Sequence, residues 1–268
     1  MKTISRIVPS EHKIRTYLKH ITFGKYLQCP NCNSRLIKKY GKRYHCKRCR
    51  KFFSLTSNNW LKECKLPLQT VWMLLWCWTQ KVPIDQTQKF TDVNYRTVRN
   101  WFDKFRNNIP KDFNVRLNKN IQVDEMYRGG KKKGYAIVGC KESKTRKIVC
   151  KILPKASVNR QDIVKIFSEH VVPGSIVNTD GAAIYKTIGK WWPVEHKYEI
   201  HKKFEFELTS EIEGLWGNFV TFIRRMYHHV TKAKIQQYLS EFIARFSHPE
   251  MFNSPLSFLQ KSIIPVAS

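Results

Sequence analysis

The spacing of apolar residues changes once along the chain, near residue 120. Before that point, four apolar residues recur at the i, i+3, i+4 and i+7 positions: Val71, Leu74, Leu75 and Trp78. This spacing places side chains on one face of a helix. After that point, residues 121–124 alternate between apolar and polar side chains, which is the pattern of a strand. The pattern therefore predicts a helical front part and a back part that contains a sheet.

The front part has the outline of a helix-turn-helix. A helix from about Leu68 is broken by Pro83, and a short helix from Ile84 to Phe90 is followed by a turn and a further helix that ends before Pro110. Polar and basic side chains gather at the start of this last helix: Asn94, Tyr95, Arg96, Thr97, Arg99 and Asn100. Recognition helices contact base edges near their N-termini, so we expect these residues to bind DNA. The alternative is a small helical bundle with a solvated polar face.

The back part reads as strands and helices in the order β-β-β-α-β-α, followed by a long helix. The predicted strands are 121–124, 135–140, 147–153 and 175–179, and the predicted long helices are 160–171, 212–228 and 231–247. A glycine- and lysine-rich turn is expected at 129–134. This order predicts a mixed sheet covered by helices, and the whole chain is expected to be an α+β protein with several domains.

The charge of the chain indicates that it binds nucleic acid. The 268 residues include 49 Lys and Arg against 20 Asp and Glu, a formal net charge of +29. Such a surface attracts polyanions, because neutralising phosphates releases condensed counterions. No apolar run of about 18 residues is present to span a bilayer, and no secretory signal is recognisable. We therefore expect a protein that is not secreted and does not enter a membrane.

Four of the eight cysteines have metal-ligand spacing. They form two Cys-x-x-Cys pairs: Cys29 and Cys32, then Cys46 and Cys49. Four thiolates on two tight turns can close a tetrahedron around a structural Zn²⁺. His45 is an alternative ligand that a fourth cysteine makes unnecessary. The segment that carries these cysteines, residues 26–55, is rich in Lys and Arg. This composition favours a zinc ribbon whose surface contacts phosphates, and the alternative is a ribbon with a purely structural role. The remaining cysteines lack ligand spacing and are expected to be buried apolar residues.

Three carboxylates occupy positions that are otherwise apolar or that begin a helix. Asp124 lies on the first strand of the back part, Asp180 ends a later strand, and Glu213 opens a helix. Acids at strand ends and at a helix start can converge on one edge of a sheet and hold two Mg²⁺ or Mn²⁺ ions. Taken singly, each acid is better explained by a salt bridge or a cap. The neighbours Glu125 and Glu211 are alternatives to the third ligand.

Together, these features resemble a Merlin-type transposase and the related bacterial insertion-sequence transposases with an N-terminal zinc ribbon and an ISXO2-like domain. The stretches that carry the resemblance are the four ribbon cysteines and residues 93–102, 123–131, 179–181, 212–216, 227–230 and 238–242, with His196 and residues 201–206 matching a His-rich strand between the second and third acids. The match runs from about residue 25 to 248.

The resemblance implies a ribonuclease H-like catalytic domain whose triad of Asp124, Asp180 and Glu213 binds Mg²⁺ or Mn²⁺. It also implies a DNA transposase that cleaves transposon ends and joins them to target DNA through the same metal pair. The corresponding domains are a lead-in at 1–25, the zinc ribbon at 26–55, a helix-turn-helix-like DNA-binding domain at 64–110, the ribonuclease H-like domain at 119–250 and a C-terminal tail at 251–268.

The implied partners are double-stranded DNA, as transposon ends and target, and further copies of the chain assembled on that DNA. The expected compartment is the cytoplasm or nucleoid in a bacterium and the nucleus in a eukaryote. Four basic residues are expected at DNA phosphates: Lys131, Lys132, Arg224 and Arg225.

Two positions depart from the family pattern. Many relatives have a Lys seven residues after the Glu, where this chain has Val220, and the usual Thr-Asn pair before the helix is Thr209 and Ser210. Neither change removes a carboxylate. The alternative function is a catalytically inactive or domesticated zinc-ribbon regulator that still binds DNA.

Overall fold

The computed structural model describes residues 8–111, 115–129, 134–199 and 208–266. The chain divides into two compact units. The first comprises residues 1–110 together with 250–268, and the second comprises residues 111–249.

Eight helices and eight strands are seen in the described ranges. The helices are α1 (Glu11–Phe23), α2 (Leu68–Thr79), α3 (Ile84–Thr91), α4 (Tyr95–Asn107), α5 (Arg160–His170), α6 (Ser210–Tyr227), α7 (Ile235–Ser247) and α8 (Pro255–Ser262). The strands are β1 (Ile37–Tyr40), β2 (Arg43–Cys46), β3 (Phe52–Phe53), β4 (Asn120–Arg128), β5 (Tyr135–Glu142), β6 (Ile148–Leu153), β7 (Ile176–Thr179) and β8 (Glu195–Tyr198).

An aromatic core holds the helices of the first unit together. Trp78 of α2 is fully buried, and its ring centroid lies 5.6 Å from that of Phe105 on α4 and 5.0 Å from that of Phe258 on α8. The strands β1, β2 and β3 form a separate small antiparallel sheet in that order. Phe53 of this sheet packs against Phe23 of α1 at 5.9 Å.

The predicted sequence of helix, short helix, turn and helix is present in the first unit. Helix α3 ends at Thr91, and the following residue, Asp92, adopts a left-handed conformation with φ of 53° and reverses the chain. Asn94 then caps α4, because its side-chain oxygen accepts a hydrogen bond of 2.9 Å from the N–H of Thr97. Val98, Trp101, Phe102 and Phe105 are buried on one face of α4.

The second unit is built on a mixed five-stranded sheet in the order β6-β5-β4-β7-β8, which confirms the predicted mixed sheet. Strands β4, β5 and β6 pair antiparallel, whereas β7 runs parallel to β4 and β8 runs parallel to β7. The helix α5 connects β6 to β7 and begins with a capping box between Asn159 and Asp162. The central strand β4 therefore borders both the antiparallel and the parallel halves of the sheet.

Two elements differ from the sequence pattern. Strand β8 was not predicted from periodicity, because it lies at the edge of the sheet with three of its four side chains exposed and only His196 half-buried. His196 lies in this strand, and residues 201–206 fall outside the described residues. The segment expected as a C-terminal tail contains helix α8, whose Phe258 and Leu259 are buried in the first unit. In the part of the chain described here, no helix is both long and apolar enough to cross a membrane.

Candidate functional site

Three elements of the second unit carry the predicted acids. Asp124 lies within β4, Asp180 follows the last residue of β7, and Glu213 lies in the first turn of α6. The parallel register pairs Gln122 with Asn178. Asp124 and Asp180 each lie two residues beyond this last pair, and the charge of Asp180 acts on Asp124. The parallel pairing of β4 and β7 thus brings the first two acids close together.

Asp124 is in an environment that opposes its ionisation. Burial, followed by the negative charges of Asp180 and Glu213, raises the pKa of Asp124 to about 6. The indole Nε1–H of Trp216 donates a hydrogen bond of 3.0 Å to Oδ2 of Asp124 and partly offsets this effect. Asp180 and Glu213 therefore each lie close enough to Asp124 for their charges to act on it.

Trp216 reaches Asp124 because the facing strand has no side chain in the way. Gly139 of β5 pairs directly with Asp124, and a Cβ atom at residue 139 would lie 2.6 Å from the Trp216 ring. Any other residue at 139 would push the indole away from the carboxylate. Trp216 and Glu213 are also three residues apart on α6, so they lie on the same side of the helix.

The N-terminus of α6 is tied to the sheet by two polar contacts. The side-chain oxygen of Gln122 accepts a hydrogen bond of 3.0 Å from the N–H of Ile212, and both residues are buried. The carboxylate of Glu211 accepts a hydrogen bond from the buried Lys141 ammonium and one of 3.2 Å from the N–H of Lys144. Although burial opposes its ionisation, these two donors hold the pKa of Glu211 below its ordinary value. Glu211 therefore anchors the helix, whereas Glu213 contributes charge at Asp124.

The remaining contacts orient the other two acids and a fourth one. The Thr209 hydroxyl donates a hydrogen bond of 2.7 Å to Glu213, and the N–H of Ala182 donates one of 3.0 Å to Asp180. Glu125 accepts a hydrogen bond from the buried Tyr185 hydroxyl. Burial, with the charges of the neighbouring aspartates, raises the pKa of Glu125 to about 7.

These acids fit a divalent cation in donor type. Oxygen ligands suit Mg²⁺ and Mn²⁺, and mutually repelling carboxylates are favoured by a positive charge between them. The acids are less tightly gathered than the cysteines, because in the described residues no three carboxylates have oxygens that all lie within 4.8 Å of one another.

The four ribbon cysteines form a compact cluster. Their Sγ atoms all lie within 4.8 Å of one another, with Cys29 and Cys49 at 3.5 Å and Cys32 and Cys46 at 3.6 Å. A zinc ion with Zn–S bonds of about 2.3 Å has sulfur atoms roughly 3.8 Å apart, so this cluster fits Zn²⁺. His45 instead packs its ring against Phe52 at 4.6 Å.

The two cysteine turns repeat the same backbone geometry. Asn33 and Arg50 each follow the second cysteine of a pair, with φ of 54° and 58°. Their N–H groups donate hydrogen bonds of 2.9 Å to the carbonyls of Cys29 and Cys46, respectively. Each pair is therefore held on a tight turn that points both thiols to one place.

The predicted DNA-binding residues of α4 are on its surface. Asn94, Tyr95, Arg96, Arg99 and Asn100 are exposed, and Thr97 is half-buried. Arg224 and Arg225, in the last turn of α6, are exposed as well. Lys131 and Lys132 fall outside the described residues.

Sequence reasoning missed the residues that support the acids, namely Gln122, Gly139, Lys141, Tyr185 and Trp216. Two of them left a signal. A glycine within the apolar strand 135–140 indicates close approach of another group, and Trp216 stands three residues after Glu213. The other three lie in unremarkable positions, and only the folded chain brings them to the site.

The comparisons with known proteins point to one family. The model of the ISXO2-like transposase domain matches residues 114–247, half of the chain. No curated protein matches the sequence.

Two solved structures are distantly similar. One is a chain of the simian T-cell lymphotropic virus intasome in complex with PP2A regulatory subunit B56 gamma, with 11% identity over 66% of this chain and 68% of that chain and a TM-score of 0.37. The other is the HTLV-2 integrase catalytic core domain in complex with magnesium, with 10% identity over 49% of this chain and 88% of that chain and a TM-score of 0.33. At this level of similarity, neither structure supports a functional conclusion for this chain.

Proposed function

The chain belongs to the ISXO2-like transposase domain family, and we propose that it is a DNA transposase that binds transposon terminal repeats and catalyses metal-dependent cleavage and strand transfer. The catalytic residues of this proposal are Asp124, Asp180 and Glu213. The second unit is proposed to be ribonuclease H-like, which its three antiparallel strands followed by two parallel ones support.

The observation that carries the proposal is the effect of two acids on a third. Asp180 and Glu213, from separate elements, both raise the pKa of Asp124, and a buried tryptophan orients its carboxylate. A fold gains no stability from crowding like charges in a partly buried place. Such crowding is favourable once divalent cations are bound, and perturbed carboxylates of this kind gather at functional sites.

In the proposed mechanism, Asp124 and Asp180 would hold the metal pair and Glu213 would complete the ligand set. Two bound Mg²⁺ ions supply activation of the attacking oxygen and stabilisation of the leaving one. Water attacks the phosphodiester bond at the transposon end and releases a 3′-hydroxyl on one side and a 5′-phosphate on the other. The 3′-hydroxyl then attacks a target phosphodiester in line, which forms the new bond and displaces the 3′-hydroxyl of the broken target strand. The contacts of Gln122 and Lys141 with the start of α6 keep Glu213 in register with the sheet during both steps.

The first unit supplies DNA binding in this proposal. The exposed polar residues at the start of α4 suit base edges in a major groove, and the Cys₄ cluster suits a structural zinc ion that holds a basic ribbon. Two transposon ends have to be held together for strand transfer, so we propose that copies of the chain assemble on double-stranded DNA.

One observation favours a second candidate, a regulator that binds DNA without cutting it. Val220 stands where many relatives have a lysine, and its side chain is half-buried. In the transposase proposal, Arg224 and Arg225, which are exposed one turn further along α6, would take over the contact with DNA phosphates.

Strand transfer by purified protein tests the proposal. Labelled DNA that carries the terminal repeats flanking the coding gene is incubated with a target plasmid and Mg²⁺ or Mn²⁺. We expect metal-dependent joining by the parent protein and a loss of at least about 10³-fold in Asp180→Ala, because removal of a metal ligand removes charge stabilisation worth several kcal/mol.

Glu195→Gln is the matched control, because Glu195 is an exposed carboxylate on β8 of the same sheet. It should join DNA at the parent rate. Binding of the terminal repeats with no joining by any protein, in either metal, would instead support the regulator.

A further inference from the structure

One face of the zinc-ribbon sheet is composed entirely of aromatic and basic side chains. The register pairs Lys38 with His45, Tyr40 with Arg43, and His45 with Phe52. Directly paired residues of a sheet point to the same face. These five residues therefore share a face, which we call the ribbon platform.

The rings of the ribbon platform form a contiguous cluster. The centroid of the Phe52 ring lies 4.6 Å from that of His45 and 5.9 Å from that of Tyr40. Tyr40 is 48% exposed and Phe52 is 52% exposed, which is unusual for large aromatic side chains in a small sheet. The cluster is thus open to a ligand of matching shape.

A cation lies over each of the two exposed rings. The Lys38 ammonium lies 5.2 Å from the centroid of the Tyr40 ring, and the Arg43 guanidinium lies 5.3 Å from that of Phe52. A planar ligand that carries negative charge at its edge would contact ring and cation at once.

Side chains on the opposite face of the same sheet form the packed core of the ribbon. Tyr44 and Phe53 stack at 5.5 Å, and Phe53 packs on Phe23 of helix α1. The core of the ribbon is therefore complete without the platform rings, and packing does not explain why Tyr40 and Phe52 are aromatic.

The ribbon contains no acidic residue between positions 26 and 55. Its nine basic residues are all exposed: Arg35, Lys38, Lys39, Lys42, Arg43, Lys47, Arg48, Arg50 and Lys51. Such a surface repels cationic partners and attracts phosphate groups.

We propose that the ribbon platform binds unpaired DNA, with one or two bases stacked on Tyr40 and Phe52 and the adjoining phosphates on Lys38 and Arg43. Aromatic rings beside basic side chains are the means by which proteins hold single strands without reading their sequence. Paired bases in a duplex keep their faces stacked on each other, so only phosphate contacts remain for a duplex.

This proposal goes beyond end recognition by α4 and does not depend on the catalytic site. A transposase that opens or frays the DNA ends would hold the released strand on this surface. Asp180→Ala should therefore bind unpaired DNA as the parent does, whether or not strand transfer is observed.

The test compares three fluorescein-labelled probes with the full-length, zinc-loaded protein at one salt concentration. They are a thymidine 12-mer, a 12-mer of abasic sites with the same phosphates, and a 12-base-pair duplex. Stacking changes affinity about 5- to 150-fold per base, so we expect the parent to bind the thymidine strand at least tenfold more tightly than the abasic strand. In Tyr40→Ala/Phe52→Ala this ratio should fall to nearly 1, with abasic and duplex affinities unchanged.

Phe90→Ala is the matched control, because Phe90 is 52% exposed in the first unit but lies on α3. It should keep the parent ratio, and Phe52→Tyr, which retains a ring, should keep it too. Zinc content shows that each variant has a folded ribbon. Equal affinity of the parent for thymidine and abasic strands overturns the proposal. So does an unchanged ratio in the double variant, or an equal loss for all three probes.

Discussion

The negative charge of Asp124 destabilises the fold when no metal is bound. Burial and two neighbouring acids raise its pKa to about 6 from an ordinary value of 3.8. A raised carboxyl pKa means that the folded state favours the neutral form of Asp124. The contribution of this group to the stability of the fold is therefore most favourable below about pH 4. Stability is lost as the pH rises from about 4 to the folded pKa near 6.

Asp124→Asn should therefore raise the melting temperature of the second unit in buffer without Mg²⁺. The side-chain oxygen still accepts the Trp216 hydrogen bond, while a charge penalty of at most about 3 kcal/mol at pH 7.5 is removed. The gain should be roughly half as large at pH 5, where the folded carboxyl is mostly neutral. Differential scanning calorimetry at both pH values measures it.

The exposed carboxylate variant Glu195→Gln should leave the melting temperature within about 1 °C of the parent. A lower melting temperature for Asp124→Asn at pH 7.5 would show that its ionised form is held by favourable contacts, which contradicts the crowding of like charges.

Substitution of Gly139 and substitution of Gly217 should have opposite effects on the stability of the second unit. A Cβ at 139 would lie 2.6 Å from the Trp216 ring, whereas a Cβ at 217, on the exposed side of α6, meets nothing within 4 Å. Gly139→Ala should destabilise the second unit by about 1–3 kcal/mol through overpacking. Gly217→Ala should stabilise it by about 0.5–1 kcal/mol, because alanine loses less backbone freedom in a helix.

Urea unfolding of both variants measures these changes, and strand-transfer activity should fall in Gly139→Ala alone. Retention of full stability and activity by Gly139→Ala would mean that Trp216 has room to move without releasing Asp124.

At the scale of elements, the ribbon depends on its two cysteine turns. The strands β1 and β2 have four residues each and β3 has two, and the basic residues of the ribbon are exposed. A sheet this small cannot bury enough apolar surface to offset the entropy of ordering it. Zinc binding contributes roughly 10 kcal/mol or more to the folding of such units.

Cys46→Ser should reduce bound zinc well below one ion per chain and unfold the ribbon. Atomic absorption gives the zinc content, and protease digestion around residues 35–51 reports the loss of structure. The matched control is Cys64→Ser, because Cys64 lies outside the cluster and donates to the carbonyl of Leu66. Full zinc occupancy in Cys46→Ser would indicate that His45 replaces the missing ligand.

At the scale of the whole molecule, helix α8 packs into the first unit although it follows the second unit in sequence. Residues 250–268 belong with residues 1–110 although 139 residues of the second unit separate them (111–249). Phe258 is fully buried against Trp78, Trp60 and Phe105. The second unit is thus inserted, in sequence, between two parts of the first.

Phe258→Ala should destabilise the first unit by about 3–5 kcal/mol, because it leaves a cavity among aromatic rings. Calorimetry should show a lower melting temperature for one transition and an unchanged one for the other. Gln260→Ala, an exposed change on the same helix, should alter neither transition. Equal effects of Phe258→Ala on both transitions would contradict the assignment of α8 to the first unit alone.

The sequence by itself determined the features that depend on local spacing. The i, i+3, i+4, i+7 pattern predicted α2, and the turn before Asn94 predicted the start of α4 within one residue. The mixed sheet followed from the alternation of strands and helices. The cysteine cluster followed from two short pairs, because a tight turn holds both thiols of a Cys-x-x-Cys pair close together whatever surrounds it.

Tertiary structure decided the features that join distant parts of the chain. Trp216 meets Asp124 across 92 residues, and Gln122 meets Ile212 across 90. Strand β8 is ordered by pairing with β7 rather than by its own weak pattern, and Glu211 is distinguished from Glu213 by its partner Lys141. Such contacts arise only when the sheet and helices close on each other, since periodicity specifies which face of an element is apolar but not which element will cover it.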